Sequence, residues 1–137
     1  MAYWLVKSEP GTWSWDDQVR DKSTGWTGVR NFQATNHMKD MRKGDHAFFY
    51  HSGDERQVVG IVRIIKEYHP DPTDKEGRFG MVDVEADRPM KTPVTLAAIK
   101  ADPRLADMVL VRNSRLSVQP VEPAAWKIVC GMGGVKA

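Results

Sequence analysis

The residue types that do chemistry are few in this sequence and poorly spaced for it. Of the four histidines, His46 and His51 lie five apart in a strand-like run, so their side chains point to opposite faces. No His-Glu-x-x-His helix or carboxylate-rich loop is present; Asp71 and Asp74, beside His69, read as solvated charges in a proline-rich loop. Neither a metal nor a cofactor is expected. The single cysteine, Cys130, excludes an internal disulfide and any zinc site with two or more cysteines. It falls on the apolar face of a helix, where an inert thiol is expected. His51 and Ser52 are neighbours on a strand and diverge, which leaves nucleophilic catalysis without a third group. Gly131-Met132-Gly133-Gly134 follows a helix instead of opening one, so it cannot cradle a phosphate.

The tryptophans say more. Trp4, Trp13, Trp15 and Trp26 crowd into the first 26 residues. Trp26 is set among Ser23, Thr24, Gly25, Thr27 and Gly28, whose local pattern does not bury it. With Arg30, Asn31 and Asn36 nearby, this is the composition of a base-stacking platform with hydrogen-bonding neighbours. A plug sealing one end of the core is the structural alternative.

Charge narrows the partner. Twenty Lys and Arg against eighteen Asp and Glu leave +2 over 137 residues, one domain's length, spanning 1–137. That permits an anionic partner but excludes a histone-like binder working by charge alone. Arg30, Lys39, Arg42, Lys43, Arg112 and Arg115 are the candidate phosphate contacts, with an ordinary solvated face as the alternative. The apolar run ending at Val6 is too short for a signal-peptide core or a membrane span. The expectation is a cytoplasmic monomer, nuclear if eukaryotic.

The elements that must position these residues follow from local pattern. Tyr3 to Lys7 reads as a strand closed by Glu9-Pro10-Gly11. Ser14 caps a short helix through about Lys22, and Ala34, Met38 and Met41 make a helical stripe within Asn31–Arg42, with Gly44 as its C-cap. Ala47–His51 and Gln57–Tyr68 are strands joined by the hairpin connection Ser52–Glu55. Met81–Ala86 alternates as a strand, and Pro89 and Pro93 bar a helix until Thr95 caps Leu96–Lys100. Arg115–Gln119 is a last strand. Pro123 opens a final helix, with Val121 and Trp126 as its hydrophobic staple and Gly131 as its end. The class is α+β: a small curved sheet closed towards a barrel, its open ends covered by helices.

Five ordered blocks carry a resemblance. They are Tyr3–Pro10, Gly28–Asn31, Phe48–Ser52, Met81–Val84 and Arg115–Pro120, within a chain that resembles an EVE domain over nearly its whole length. The resemblance implies a PUA-like curved β-barrel of about five to six strands with short covering helices, related to YTH and ASCH domains. It also implies a non-enzymatic reader that holds a modified, extruded base of DNA or RNA in an aromatic cage. On that pattern Trp26 is the first cage aromatic, and Lys7, Ser8 and Glu9 end the first strand at the pocket mouth. Tyr50, His51 and Ser52 would close the opposite wall, while Arg30, Asn31 and Asn36 line or brace it. Phe79 stands where relatives often place a second tryptophan, and the loop from Pro70 to Gly77 is short, which implies few backbone contacts. Two other functions remain open: an enzyme acting on a nucleotide or nucleic acid through Glu9 and His51, and a small-molecule-binding module.

Overall fold

The computed structural model describes residues 2–137, so Met1 of the opening apolar run lies outside it. In chain order the elements are β1 (Tyr3–Ser8), α1 (Trp15–Asp21), β2 (Ser23–Gly25), α2 (Phe32–Asp40), β3 (His46–His51), β4 (Gln57–Pro70), β5 (Gly80–Thr95), α3 (Leu96–Ala101), a 3₁₀ turn (Pro103–Leu105), α4 (Val109–Arg112), β6 (Val118–Val121) and α5 (Pro123–Met132).

The six strands form one sheet in the order β2-β5-β4-β3-β1-β6. All neighbours are antiparallel except β1 and β3, which run parallel from Tyr3 beside His46 to Ser8 beside His51. These two inner strands are buried on both faces, which is why Trp-Leu-Val and Ala-Phe-Phe-Tyr are continuous apolar runs and not alternating ones. Trp4, Val6 and Phe49 pack on one face with Trp15, Ala34 and Met38. Leu5, Phe48 and Tyr50 pack on the other with Ile99, Leu110 and Trp126. There Trp126 stacks on both Phe48, with ring centroids 3.9 Å apart, and Tyr3, at 4.5 Å.

The class is α+β, as the pattern indicates, but the sheet is not closed: β2 and β6 are its two edges, and helices cover its faces. The long β4–β5 ribbon shifts register between Val58 and Gly60, Ile61 and Val62, Ile64 and Lys66, and Lys66 and His69, irregularities of the kind that bend a strand pair. Strand β5 also runs through Pro89 and Pro93, past the expected end at Ala86. It can do so because β2 pairs only with Asp83–Glu85; beyond them β5 is an edge strand, where a missing N–H costs no ladder bond.

Helix ends differ from expectation in two places. Helix α2 stops at Asp40 with Met41 as its C-cap, and Gly44 (φ 95°) instead makes the turn into β3. Helix α5 continues through Gly131 to Met132 and is capped by Gly133. Among the glycines, Gly60 has a packing reason: the Trp15 indole lies against β4 where a Cβ at residue 60 would approach it to 2.5 Å.

Candidate functional site

Where β1 ends, the chain opens a cavity of about 560 Å³, within the usual range for small-ligand sites. Lys7, Ser8 and Glu9 form one side, Trp13 and Thr12 a second, the segment Thr24–Arg30 a third, and Ser117 closes the rim.

Trp13 reaches the cavity because the chain turns sharply after β1. The Glu9 carbonyl accepts from the N–H groups of both Thr12 and Trp13 at 2.9 Å, and the Ser8 hydroxyl donates to the Trp13 carbonyl. Ser14 then starts α1 with a capping box shared with Asp17. The buried Gln18 accepts from the Trp13 indole N–H at 3.0 Å and donates to the Lys22 carbonyl at 2.9 Å, which fixes the ring against both ends of the helix.

Trp26 is only 8% exposed, contrary to the local pattern around it. The three-residue strand β2 pairs with β5, the Trp26 N–H donates to the Val82 carbonyl at 2.8 Å, and the indole is carried inward onto Phe49. It therefore seals the core and walls the cavity at once.

The segment after Trp26 is clamped by Asp71. One Asp71 oxygen accepts from the Gly28 N–H at 2.9 Å and from the Arg30 guanidinium at 3.1 Å; the other accepts from the Thr73 N–H at 2.7 Å and hydroxyl at 2.6 Å. Gly28 (φ 82°) adopts a backbone that favours glycine to present that N–H. Burial alone would raise the Asp71 pKa, but the bonds from Thr73, Gly28 and Arg30 outweigh it and hold the carboxyl at about 2. Asp71 is thus a buried hub and not the solvated loop charge that its surroundings in the sequence indicate.

Of the residues expected at the site, Lys7, Ser8, Glu9, Trp26 and Arg30 line this cavity. The others lie elsewhere. Asn31 is the N-cap of α2, its side-chain oxygen accepting from the Ala34 N–H at 2.9 Å, and Asn36 is exposed further along that helix. Tyr50 and Ser52 line a neighbouring groove. The buried His51 accepts from the Trp15 N–H through Nε2 at 2.9 Å, so Nδ1 carries the proton and donates to Glu55 at 2.9 Å. With both ring nitrogens engaged, the Glu9–His51 acid–base pair does not form. Phe79 is covered by Phe32 at 4.9 Å and by the Arg30 guanidinium at 5.7 Å.

Among the expected phosphate contacts, Arg42 and Lys43 precede β3 and so sit at the opposite end of the β1–β3 pair, about 17 Å of strand away. Lys39 lies over the Tyr68 ring, Arg112 pairs with Asp107 at 2.6 Å, and Arg115 lines the neighbouring groove. Among the described residues no cluster of His, Cys, Asp or Glu is placed to hold a metal, and no helix is long and apolar enough to cross a membrane.

The sequence profile of the EVE domain matches residues 2–132. The chain belongs to the EVE domain family. This EVE domain is 61% identical to a Rhodopseudomonas palustris protein solved by NMR, which superposes with a TM-score of 0.93 over 98% of this chain and 94% of that one. It is 32% identical to human THYN1 protein, whose crystal structure is a complex with 5-methylcytosine-containing DNA; the TM-score is 0.89 and each chain is covered over 100%. A YTH domain from Zygosaccharomyces rouxii, in complex with N6-methyladenosine RNA, superposes with a TM-score of 0.62 over 99% of this chain and 87% of that one. At 15% identity it shows the shared PUA-like fold alone. Within this EVE domain the second aromatic at the cavity is Trp13, which sequence reasoning missed; its signal was its place one residue before the Ser14 cap, at the mouth of the turn after β1.

Proposed function

We propose that this EVE domain is a non-catalytic reader that accepts one extruded, modified base of DNA between Trp13 and Trp26. The observation that carries the reading is the convergence of two tryptophans on one cavity rimmed by the polar end of β1. Stacking on an aromatic is worth roughly 1–3 kcal/mol per base, whereas extrusion from a duplex costs a few kcal/mol. Those terms nearly cancel, so the modification must supply the margin through contacts to the cavity wall. Lys7, Ser8 and Glu9 bring a polar strand end to the cavity, and a carboxylate such as that of Glu9 suits the exocyclic amino donor of cytosine. The complex of human THYN1 with 5-methylcytosine-containing DNA supports cytosine methylation as the first modification to try.

A binding screen of matched duplexes, unmodified and carrying 5-methylcytosine or other modified bases, tests the reading. A preference for one modification that Trp13→Ala abolishes is the expected result. Uniform weak binding to every duplex overturns it, and turnover of the oligonucleotide would point to an enzyme instead.

A further inference from the structure

Beside the base cavity lies a second hollow of about 510 Å³, lined among others by Lys7, Arg56, Lys100 and Arg115. The two hollows share Lys7 and Ser117, whose backbones are joined by a 2.9 Å hydrogen bond from the Lys7 N–H to the Ser117 carbonyl. Strand alternation turns the Lys7 side chain towards this second hollow: its ammonium lies over the Tyr50 ring at 5.7 Å and donates to the Ser114 carbonyl at 2.6 Å.

Three of the cations here lack a carboxylate partner among the described residues. Of ten arginines in the chain, Arg20, Arg30, Arg63, Arg78, Arg88, Arg104 and Arg112 each hold a carboxylate partner. Among the described residues Arg42, Arg56 and Arg115 hold none, and two of those three line this groove. Lys100 joins them at the end of α3, also without a carboxylate. No Asp or Glu is among the residues lining the groove, although the Glu9 carboxylate reaches its Ser52–Gly53 edge, where it accepts from the Ser52 hydroxyl at 3.4 Å. Arg56 is held at φ 46°, a conformation uncommon for any residue but glycine, by its carbonyl accepting from the Leu96 N–H at 2.8 Å.

We propose that this groove carries the phosphodiester backbone flanking the base that enters the neighbouring cavity, with Arg56, Lys100 and Arg115 as its phosphate contacts. The inference rests on the base-reading function above. It divides the surface by its lining: a nucleobase on the tryptophan side of the Lys7 rim, phosphates against Arg56, Lys100 and Arg115. It also moves the phosphate footprint away from the α2 end of the molecule.

The test uses the full chain and a variant carrying Arg56→Gln, Lys100→Gln and Arg115→Gln, all three residues being exposed. The probes are a 5-methylcytosine duplex, its unmodified counterpart and free 5-methyldeoxycytidine. The variant should bind both duplexes about tenfold or more weakly at low salt, and its slope of log K against log salt should be shallower by about 2–3, near 0.9 per phosphate lost. Nucleoside binding should be unchanged. Equal binding of the two duplexes, with a slope that the variant lowers, keeps the groove and removes the base reader. A preference for the methylated duplex with a slope unchanged in the variant keeps the reader and overturns the groove. No binding of either duplex at low salt overturns both.

Discussion

The indole of Trp26 meets the ring of Phe49 edge-on, with centroids 5.5 Å apart and planes at 85°, while its other surface faces the cavity. One side chain therefore serves packing and ligand contact together. Trp26→Ala should lower stability by about 3–5 kcal/mol, the usual cost of truncating a buried aromatic, besides removing base binding. Trp26→Phe keeps a ring on Phe49 and should fold with a small loss while still weakening binding. Denaturant melts set beside nucleoside titrations of both variants measure the two roles. A Trp26→Ala protein as stable as its parent would contradict the packing role.

Gly60 should tolerate no side chain. A methyl there meets the Trp15 indole at 2.5 Å, and overpacking of this kind costs about 1–3 kcal/mol. Gly60→Ala should lose that much by urea denaturation. Adding Trp15→Leu should cost less than the sum of the two single changes, because the second change makes room for the first.

Asp71 predicts an acid limb in stability. Its folded pKa of about 2 lies below the ordinary value of 3.8, so it contributes stability that is present above the ordinary value and lost as pH falls through the folded one. The shift corresponds to about 2 kcal/mol. Asp71→Asn should forfeit roughly that at neutral pH and show a flatter stability profile between about pH 4 and pH 2. An unchanged acid limb in the variant would remove Asp71 as its origin.

Cys130 should be silent until the protein unfolds. Burial pushes its thiol up to about 11, against a small opposing effect of Arg88. Alkylation by iodoacetamide at neutral pH should track global unfolding across a denaturant series. Labelling in native buffer at the rate of a free thiol would mean that α5 opens locally.

What the sequence makes legible here is local chemistry. The caps at Ser14 and Thr95, the proline opening α5 and the strands β1 and β3 can each be read within a few residues, whereas Asn31, read as a pocket residue, proves to be the N-cap of α2. The site is harder because its links are long-range. Asp71 reaches Gly28 across 43 residues, and nothing near position 71 distinguishes it from a solvated aspartate. Strand β2 is three residues long, too short for any alternation to register, yet its pairing with β5 carries Trp26 inward. Tyr50, His51 and Ser52 are contiguous in sequence, but a strand sends neighbours to opposite faces. Tyr50 consequently lines the groove while His51 is locked against α1.

The placement of β1 between β3 and β6 has a consequence for how the molecule is made. On the ribosome, residues 3–8 emerge before both of their partners, so one edge waits for residues 46–51 and the other for residues 118–121. At ordinary synthesis rates the second wait is on the order of ten seconds. Throughout it, a Tyr-Trp-Leu-Val strand with an open edge is exposed to neighbouring nascent chains. The strand whose end forms one wall of the cavity is thus among the last to be locked in.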